Sequence, residues 1–186
     1  SGKMGYYLAK KAKELGANVI LVIGPTNLPM DLLNIKTIRV EDSEEMFNET
    51  IKFFESSDVV ICSAAISDFK PTEVVQHKIK KEDGLDSIKL EPTVDILKKL
   101  GKIKTSQYLV GFALETDNII DNAKNKLKSK NLDAIVVNKI GDFNPISSDY
   151  NQIDFINSSL KITSFEKKLK SDVSNDILNQ IIINVK

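Results

Sequence analysis

The sequence VVICSAAISDFKPTEVVQHKIKK, residues 59–81, carries the pattern from which the fold class follows. Its first four residues, Val59–Cys62, are apolar and mostly β-branched, which is typical of a buried parallel strand. A loop of small residues with one acid, Asp68, comes next, and the stretch closes on Lys78-Ile79-Lys80-Lys81. Ligands of open α/β sheets bind outside the carboxyl ends of the strands, so we predict a ligand site at this loop. The alternative is a surface loop of the same composition.

Strand and helix patterns alternate on both sides of this stretch. Strands are predicted at 18–23, 35–40, 59–62, 108–112 and 134–137, and helices at 3–15, 43–54, 94–100, 118–130 and 165–182. A hairpin is predicted between 153–156 and 160–163. Gly16 is the expected stop of the first helix and Ser43 the expected N-cap of the second. This alternation predicts an α/β fold, Rossmann-like and doubly wound, with a mainly parallel sheet and helices on both faces.

One segment departs from this alternation. Residues 71–92 are polar, lysine-rich and interrupted by Gly84, and only Ile79 and 88–90 have strand character. From the residues alone, this segment is consistent with a surface excursion.

Composition narrows the class of protein. The chain has 186 residues, of which 41% are hydrophobic and 28% charged, as in one globular domain. Acidic and basic residues number 26 each, so no overall charge favours nucleic acid or a membrane as partner. Apolar runs are too short to span a membrane and no signal-peptide pattern begins the chain, so we expect a cytoplasmic protein that lacks its natural start.

The lone cysteine and the lone histidine indicate no special chemistry. Cys62 lies in an apolar strand, which favours an inert core residue over a nucleophile and excludes an internal disulfide. His77 has no second histidine or cysteine at ligand spacing, so a zinc site is not expected.

Several residues are candidates for ligand contact. Ser1 and Gly2 precede a helix whose N-terminus is a potential anion site, although Ser1 could simply be its cap. Lys126 and Lys130 share one helix face and could grip a polyphosphate, although a solvated lysine face is the commoner meaning of such spacing. Phe112, at the predicted end of a strand, could contact a nucleobase or belong to the core, and Asn138 suits either a ligand or a turn.

Four ordered motifs resemble the phosphopantothenoylcysteine synthetase family, in the form found as a domain of the bacterial bifunctional coenzyme A biosynthesis flavoprotein. The resemblance covers essentially the whole chain. The motifs are Ser1-Gly2-Lys3-Met4-Gly5, Ala64-Ala65-x-x-Asp68-Phe69-x-Pro71 with Lys78-Ile79-Lys80-Lys81, Gly111-Phe112-Ala113-Leu114-Glu115-Thr116, and Val136-Val137-Asn138.

The resemblance implies a ligase that joins 4′-phosphopantothenate to cysteine through an acyl-cytidylate, converting CTP to CMP and pyrophosphate. Mg²⁺ is expected with CTP, and no FMN is expected in this chain. The residues leave the choice between CTP and ATP open. The resemblance also implies a homodimer in which residues 71–92 form an arm across the interface, and a phosphopantothenoylcysteine decarboxylase as a possible fused or separate partner.

The resemblance further implies roles for individual residues. Lys78 would be catalytic, contacting the nucleotide and its activated intermediate. The substrate-binding residues would be Ser1, Gly2, Ala64, Ala65 and Asp68. The nucleotide-binding residues would be Ser63, Ala64, Asp68, Lys78, Phe112, Lys126 and Lys130.

Two departures from the family's pattern keep alternatives open. Thr93 and Val94 separate Pro92 from Asp95, which the family usually joins directly, and a glycine-rich segment with an asparagine is absent before Ser1. We therefore treat residues 1–186 as a single domain that lacks this segment. The alternatives are a non-catalytic nucleotide-binding or dimerisation module and, less favoured, an NAD(P)-dependent reductase, for which Tyr7 and Lys11 provide only a surface pair.

Overall fold

The structure is a computed structural model that describes residues 1–29, 34–73, 75, 77–80, 84, 87–115, 118–139 and 148–185. It contains five helices in these ranges: α1 (Lys3–Glu14), α2 (Ser43–Phe54), α3 (Ile96–Ile103), α4 (Ile119–Ser129) and α5 (Lys170–Asn184). The strands described are β1 (Ile20–Ile23), β2 (Lys36–Arg39), β3 (Val59–Cys62), β4 (Phe69–Pro71), β5 (Leu90–Pro92), β6 (Tyr108–Glu115), β7 (Ala134–Lys139), β8 (Tyr150–Asn151), β9 (Ile153–Asn157), β10 (Ile162–Ser164) and β11 (Lys168–Leu169).

The largest sheet has five strands in the order β10-β9-β7-β6-β3. Strands β3, β6 and β7 are parallel, with Val59 opposite Tyr108 and Val110 opposite Ala134. Strands β9 and β10 are antiparallel and form the predicted hairpin. The prediction of an α/β fold with a mainly parallel sheet is therefore confirmed.

Both faces of this sheet are covered by helices because side chains along each strand alternate between two apolar cores. One core contains Leu109, Ala113, Ile135 and Val137 of the sheet. It is completed by apolar side chains of α2, α3 and α4. The opposite core contains Val110, Ala134, Val136 and Phe155 of the sheet, packed against α1 and α5.

Strands β1 and β2 form a separate two-stranded parallel sheet. Helix α1 connects this sheet to the larger one, because Leu8 packs in the α5-side core while Tyr6 and Ala9 pack against Ile23 of β1. Gly16 has φ 90° and ends α1, and the N–H of Ala17 donates to Ala12 O at 3.0 Å. This left-handed terminal arrangement confirms the predicted stop at Gly16.

Several predicted boundaries are wrong, and hydrogen bonds explain the differences. Helix α2 is capped by Asp42, not Ser43, since the Asp42 carboxylate accepts from the N–H groups of Glu44 and Glu45 at 2.8 Å. Helix α3 begins after Asp95, whose side chain accepts from Lys98 N. Helix α5 begins at Lys170, five residues later than predicted, because Lys168–Leu169 pairs with β8 first.

The lysine-rich segment is described only in part, since residues 74, 76, 81–83 and 85–86 lie outside the described ranges. Its two ends pair as the antiparallel ribbon β4–β5, with Phe69 opposite Pro92. The expected crossing of a dimer interface stays a prediction. Within the described residues, no helix has the length and apolar character needed to span a bilayer.

Gly101 lies where α3 meets the end of α4. A Cβ at this position would lie 1.8 Å from the carbonyl oxygen of Lys130, a distance that backbone atoms cannot tolerate. Asn131, with φ 53°, donates from Nδ2 to Gly101 O at 2.9 Å and locks the same contact. Glycine is therefore required by close packing of the two backbones.

We expect Gly101→Ala to destabilise the fold by about 1–3 kcal/mol, the range for overpacking a close contact. The sign is diagnostic, because alanine normally stabilises a helix relative to glycine. The measurement is chemical denaturation at equilibrium, with exposed Lys102→Ala in the same helix as control, expected within about 0.5 kcal/mol of the parent. A neutral or stabilising Gly101→Ala would contradict the packing described.

Candidate functional site

The loop after β3 lies beside the N-terminus of α1. A Cβ at Gly5 would lie 3.1 Å from Ser63 Oγ, so the helix and the loop are close together. Ala64, Ala65 and Asp68 are exposed on this loop. Their small side chains leave the backbone accessible to a ligand, which agrees with the position predicted for a site at the carboxyl end of a parallel strand.

Ser1 and Gly2 form the second part of the site. Gly2 is the N-cap of α1 with φ 68°, and no side chain caps the helix, so the idea that Ser1 is the cap is wrong. The carbonyl of Ser1 instead accepts from Thr26 Oγ1 at 3.3 Å. The first turn of α1 therefore keeps N–H groups that no side chain caps beside the loop after β3, an arrangement suited to an anion.

A hydrogen-bonded connection runs from Asp68 to α4. The N–H of Thr93 donates to Asp68 O at 2.9 Å, and two residues later the Asp95 carboxylate caps α3. The same carboxylate receives Lys130 Nζ, which lies 2.9 Å from Oδ2 and 3.1 Å from Oδ1. This connection positions Lys130 relative to the loop after β3.

The Asp95–Lys130 pair has a distinct electrostatic character. Partial burial of Asp95 acts to raise the pKa of its carboxyl, but the hydrogen bonds from Lys130 and the Lys98 N–H, together with the lysine charges, lower this pKa below its ordinary value of 3.8. The ammonium of Lys130 thus occupies a fixed place at the site, with a carboxylate behind it.

A cleft of about 2620 Å³ contains most of the predicted site residues. The members of the predicted set that line it are Ser1, Gly2, Ser63, Ala64, Ala65, Asp68, Phe112, Lys126 and Lys130. Asn138, the secondary candidate, also lines it and accepts from Asn151 Nδ2 at 2.8 Å. The fold therefore brings together residues that are far apart in the sequence.

Two predictions about individual residues differ from the structure. Phe112 does not end its strand, because β6 continues to Glu115 along β7, and its ring packs at the edge of the α5-side core while also lining the cleft. Lys78 is exposed and is not among the residues that line the cleft, so the structure does not bring it to the other candidates. Thr116 and Lys81 of the motifs lie outside the described residues.

Two polar residues that the sequence analysis did not select also line the cleft. Lys170 is only 7% exposed although it is the first residue of α5, and burial together with the charge of Lys3 lowers the pKa of its ammonium. Asn151 is 4% exposed and bonds Asn138. Neither has a distinctive local sequence pattern, because their burial results from β8 pairing with β11.

The structure agrees with an inert Cys62 and with a metal that arrives bound to phosphate. Burial raises the pKa of the Cys62 thiol to about 12, so it is protonated at neutral pH. Among the described residues, no three His, Cys, Asp or Glu side chains are grouped to hold a metal ion. Mg²⁺ commonly binds one or two carboxylates plus substrate phosphates, and Asp68 is a carboxylate in the cleft suited to that arrangement.

Comparison with known proteins identifies the family. Residues 1–184 match the family described as DFP, the DNA/pantothenate metabolism flavoprotein C-terminal domain. The chain belongs to this family.

Members and relatives of the DFP C-terminal domain family resemble the chain over most of its length. It is 43% identical over 184 residues to "Cysteine/Cysteine sulfinic acid decarboxylase" of an unknown prokaryotic organism, covering 98% of this chain and 51% of that protein. It is 37% identical to "Coenzyme A biosynthesis bifunctional protein CoaBC" of Haemophilus influenzae, covering 98% and 45%. The solved C-terminal domain of a CoaBC protein has a TM-score of 0.82 and 38% identity, covering 97% of this chain and 81% of that one.

These findings correct the assignment expected from the sequence. The chain was expected to be the synthetase domain of the bifunctional coenzyme A flavoprotein, and that assignment is wrong as stated. The family shown is the DFP C-terminal domain, and its relatives include a protein named as a decarboxylase as well as CoaBC proteins. What the findings support is homology to the C-terminal domain of CoaBC, while the chain spans about half the length of the curated relatives it matches.

We expect Asp95→Asn to lower stability at pH 7 by up to about 1 kcal/mol, the upper end for an exposed ion pair. Asparagine still caps α3, so the change isolates the pair with Lys130. Because the folded protein lowers the pKa of Asp95, its contribution is complete above pH 3.8 and is lost as pH falls through the lower folded value. Urea denaturation from pH 7 to pH 3 should therefore show the two proteins converging in acid.

A double variant controls this experiment. If Asp95 acts through Lys130, adding Lys130→Gln to Asp95→Asn should cost little more than Asp95→Asn alone. A pH-independent difference between Asp95→Asn and the parent would contradict the role assigned to the ion pair.

Proposed function

We propose that this cleft binds a nucleotide beside a carboxylic acid and supports ligation of that acid to an amine. The specific reaction is the joining of 4′-phosphopantothenate to cysteine, with CTP converted to CMP and pyrophosphate, as a step of coenzyme A biosynthesis. Homology to the C-terminal domain of CoaBC supports a ligase-type function connected with pantothenate.

The observation that carries this proposal is the arrangement of charge in the cleft. Ammonium groups of Lys126 and Lys130 lie on one side, and the exposed small-residue loop of Ala64, Ala65 and Asp68 is joined to them through Thr93 and Asp95. The chain as a whole has no net charge, so this local concentration of cations is a feature of the site. It suits a polyphosphate next to a ligand that contacts backbone.

The chemistry requires two substitutions. A carboxylate oxygen of phosphopantothenate attacks the α-phosphorus of CTP, and the bond to the leaving pyrophosphate breaks. The amine of cysteine then attacks the acyl carbon of the acyl-cytidylate, CMP leaves, and the amine loses a proton as the amide forms. Positioning and charge neutralisation are the main demands on the protein.

Residues of this chain meet these demands in the proposal. Lys126 and Lys130 neutralise the triphosphate, and Phe112 provides an apolar surface beside the base. Ser1, Gly2 and the loop of Ser63, Ala64 and Ala65 hold the acid substrate and its phosphate through backbone groups. Mg²⁺, when bound with CTP, would supply further charge neutralisation, with Asp68 as its protein ligand.

Lys78 enters the proposal through the arm. We propose that residues 71–92 cross to a second copy, where the exposed Lys78 reaches the nucleotide and its activated intermediate. In the parent polypeptide, a fused phosphopantothenoylcysteine decarboxylase would use the product. A non-catalytic nucleotide-binding module remains the second candidate, favoured by the exclusion of Lys78 from the residues lining the cleft of one chain.

We expect Lys126→Ala to weaken CTP binding about tenfold, since it removes one charge-assisted contact to phosphate. Isothermal titration calorimetry with Mg²⁺ measures this directly, and ATP in place of CTP tests base preference. Lys128→Ala is the matched control, because this lysine lies on the same helix, is exposed and does not line the cleft. Equal effects of both changes would indicate nonspecific attraction, and no binding of CTP to the full natural polypeptide would contradict the proposal.

We expect Lys78→Ala to reduce amide formation at least about a hundredfold with little change in CTP affinity or melting temperature, as for loss of a contact made mainly in the transition state. Lys89→Ala, another exposed lysine of the same segment, is the control and should retain activity. Full activity of Lys78→Ala would rule out its catalytic role. CTP binding by the full natural polypeptide without amide formation would support the non-catalytic module instead.

A further inference from the structure

The two parallel sheets each end on a strand edge that borders the same cleft. Among the described residues, β1 pairs with β2 alone and β3 pairs with β6 alone. All four residues of β1 and all four of β3 line the cleft. Its volume of about 2620 Å³ exceeds the roughly 300–1,000 Å³ of small-molecule sites, so a ligand accounts for only part of it.

The gap between β1 and β3 is a missing position within a sheet. Helix α1 covers one face, since Met4 and Leu8 line the cleft and α1 packs on both sheets. Helix α2 covers the other face, since Met46 and Phe54 line the cleft and join the core of the larger sheet. A space bordered by two strand edges and covered by helices above and below has the dimensions and surroundings of a β-strand.

Burial along the strands agrees with this interpretation. In β7, Val136 and Val137 are 0% exposed, as expected of a parallel strand with neighbours on both sides. All four residues of β3 are only half-buried, although they have the same apolar character and helices on both faces. A neighbouring strand would complete their burial and would pair the backbone groups of the unpaired edge.

We propose that this slot takes an apolar β-strand from the same polypeptide, parallel to β1 and β3 and leading directly into Ser1. A strand with both faces buried is expected to be continuously apolar and rich in β-branched residues. The inference goes beyond the proposed function and does not depend on it.

The positions of the two chain ends determine the direction. Ser1 lies at the carboxyl edge of β1, because its carbonyl accepts from Thr26, just beyond that strand. A parallel strand in the slot would end at this same edge, and α1 would then be its crossover to β1 in a standard right-handed β-α-β unit. The other end is poorly placed, because Asn184 bonds Asn157 of β9, which lies opposite Ala134 at the amino end of β7.

The comparison with a solved relative is consistent with such an additional strand. The match covers 97% of this chain but 81% of the solved C-terminal domain of CoaBC, so about a fifth of that domain has no counterpart within residues 1–186. A strand in the slot would also bring the residues at its carboxyl end between Ser63 and Gly2. The site would therefore be incomplete without it.

The test is amide hydrogen exchange by NMR on the natural polypeptide that includes the residues encoded upstream of Ser1. If the slot is filled, the amides of 59–62 and 20–23 should exchange within about tenfold of those of 134–137. If the edges are open, alternate amides of β3 should exchange at least about a hundredfold faster than those of β7, and this result would overturn the proposal.

Residues 1–186 alone and a polypeptide extended only downstream of Lys186 are the controls. Both should show fast exchange in β1 and β3, whether because the edges are open or because the fold is loosened. Equal protection of β1 and β3 in the downstream-extended polypeptide would also overturn the proposal, because it would place the occupant elsewhere. No nucleotide or substrate is present in these measurements, so their outcome is distinguishable from failure of the proposed function.

Discussion

The parallel pairing of β3, β6 and β7, buried on both faces, is the constraint on which the rest of the structure depends. Val110, Ala134 and Val136 point to one core and Leu109, Ile135 and Val137 to the other, and these side chains are 0% exposed. Such strands are stable only when helices cover both faces. The positions of α1 and α5 on one side, and of α2, α3 and α4 on the other, follow from this requirement.

That constraint also determines where chemistry can occur. Because the strands are parallel, their carboxyl ends meet at one edge, and the loops after β3 and β5 lie there together. Asp68 and Thr93 are joined at this edge, and Asp95 extends the connection to Lys130 on the far side of α3. The ion pair has a structural consequence and a chemical one, since it links two helices and holds an ammonium group at the cleft.

The same edge explains why membership of the DFP family does not by itself define an activity. Relatives with similar coverage of this chain are named as a decarboxylase and as CoaBC proteins. A fold supplies the edge, the helix N-terminus and the loop backbone, whereas reaction class depends on the side chains placed there. Here the lysines opposite a small-residue loop are the feature that favours acid activation by a nucleotide.

The sequence by itself determined the local elements and the approximate location of the site. Strand β3 and helix α2 have the predicted bounds, because a short apolar run and a 3.6-residue periodicity depend on neighbouring residues alone. The motif loop of Ala64, Ala65 and Asp68 was located for the same reason. Wrong boundaries occurred where a more distant partner mattered, as at α5, whose start is delayed by pairing of Lys168–Leu169 with β8.

Only the tertiary structure decided which of these pieces meet. Asp95 and Lys130 are 35 residues apart, Lys170 is buried beside a loop that precedes it by a whole hairpin, and β1 and β3 end on opposite sides of one gap. None of these relations has a local pattern, because they depend on the path of the chain through the sheet. Burial and pairing are properties of that path, and for this reason the charge arrangement of the cleft and the open strand position emerge only in three dimensions.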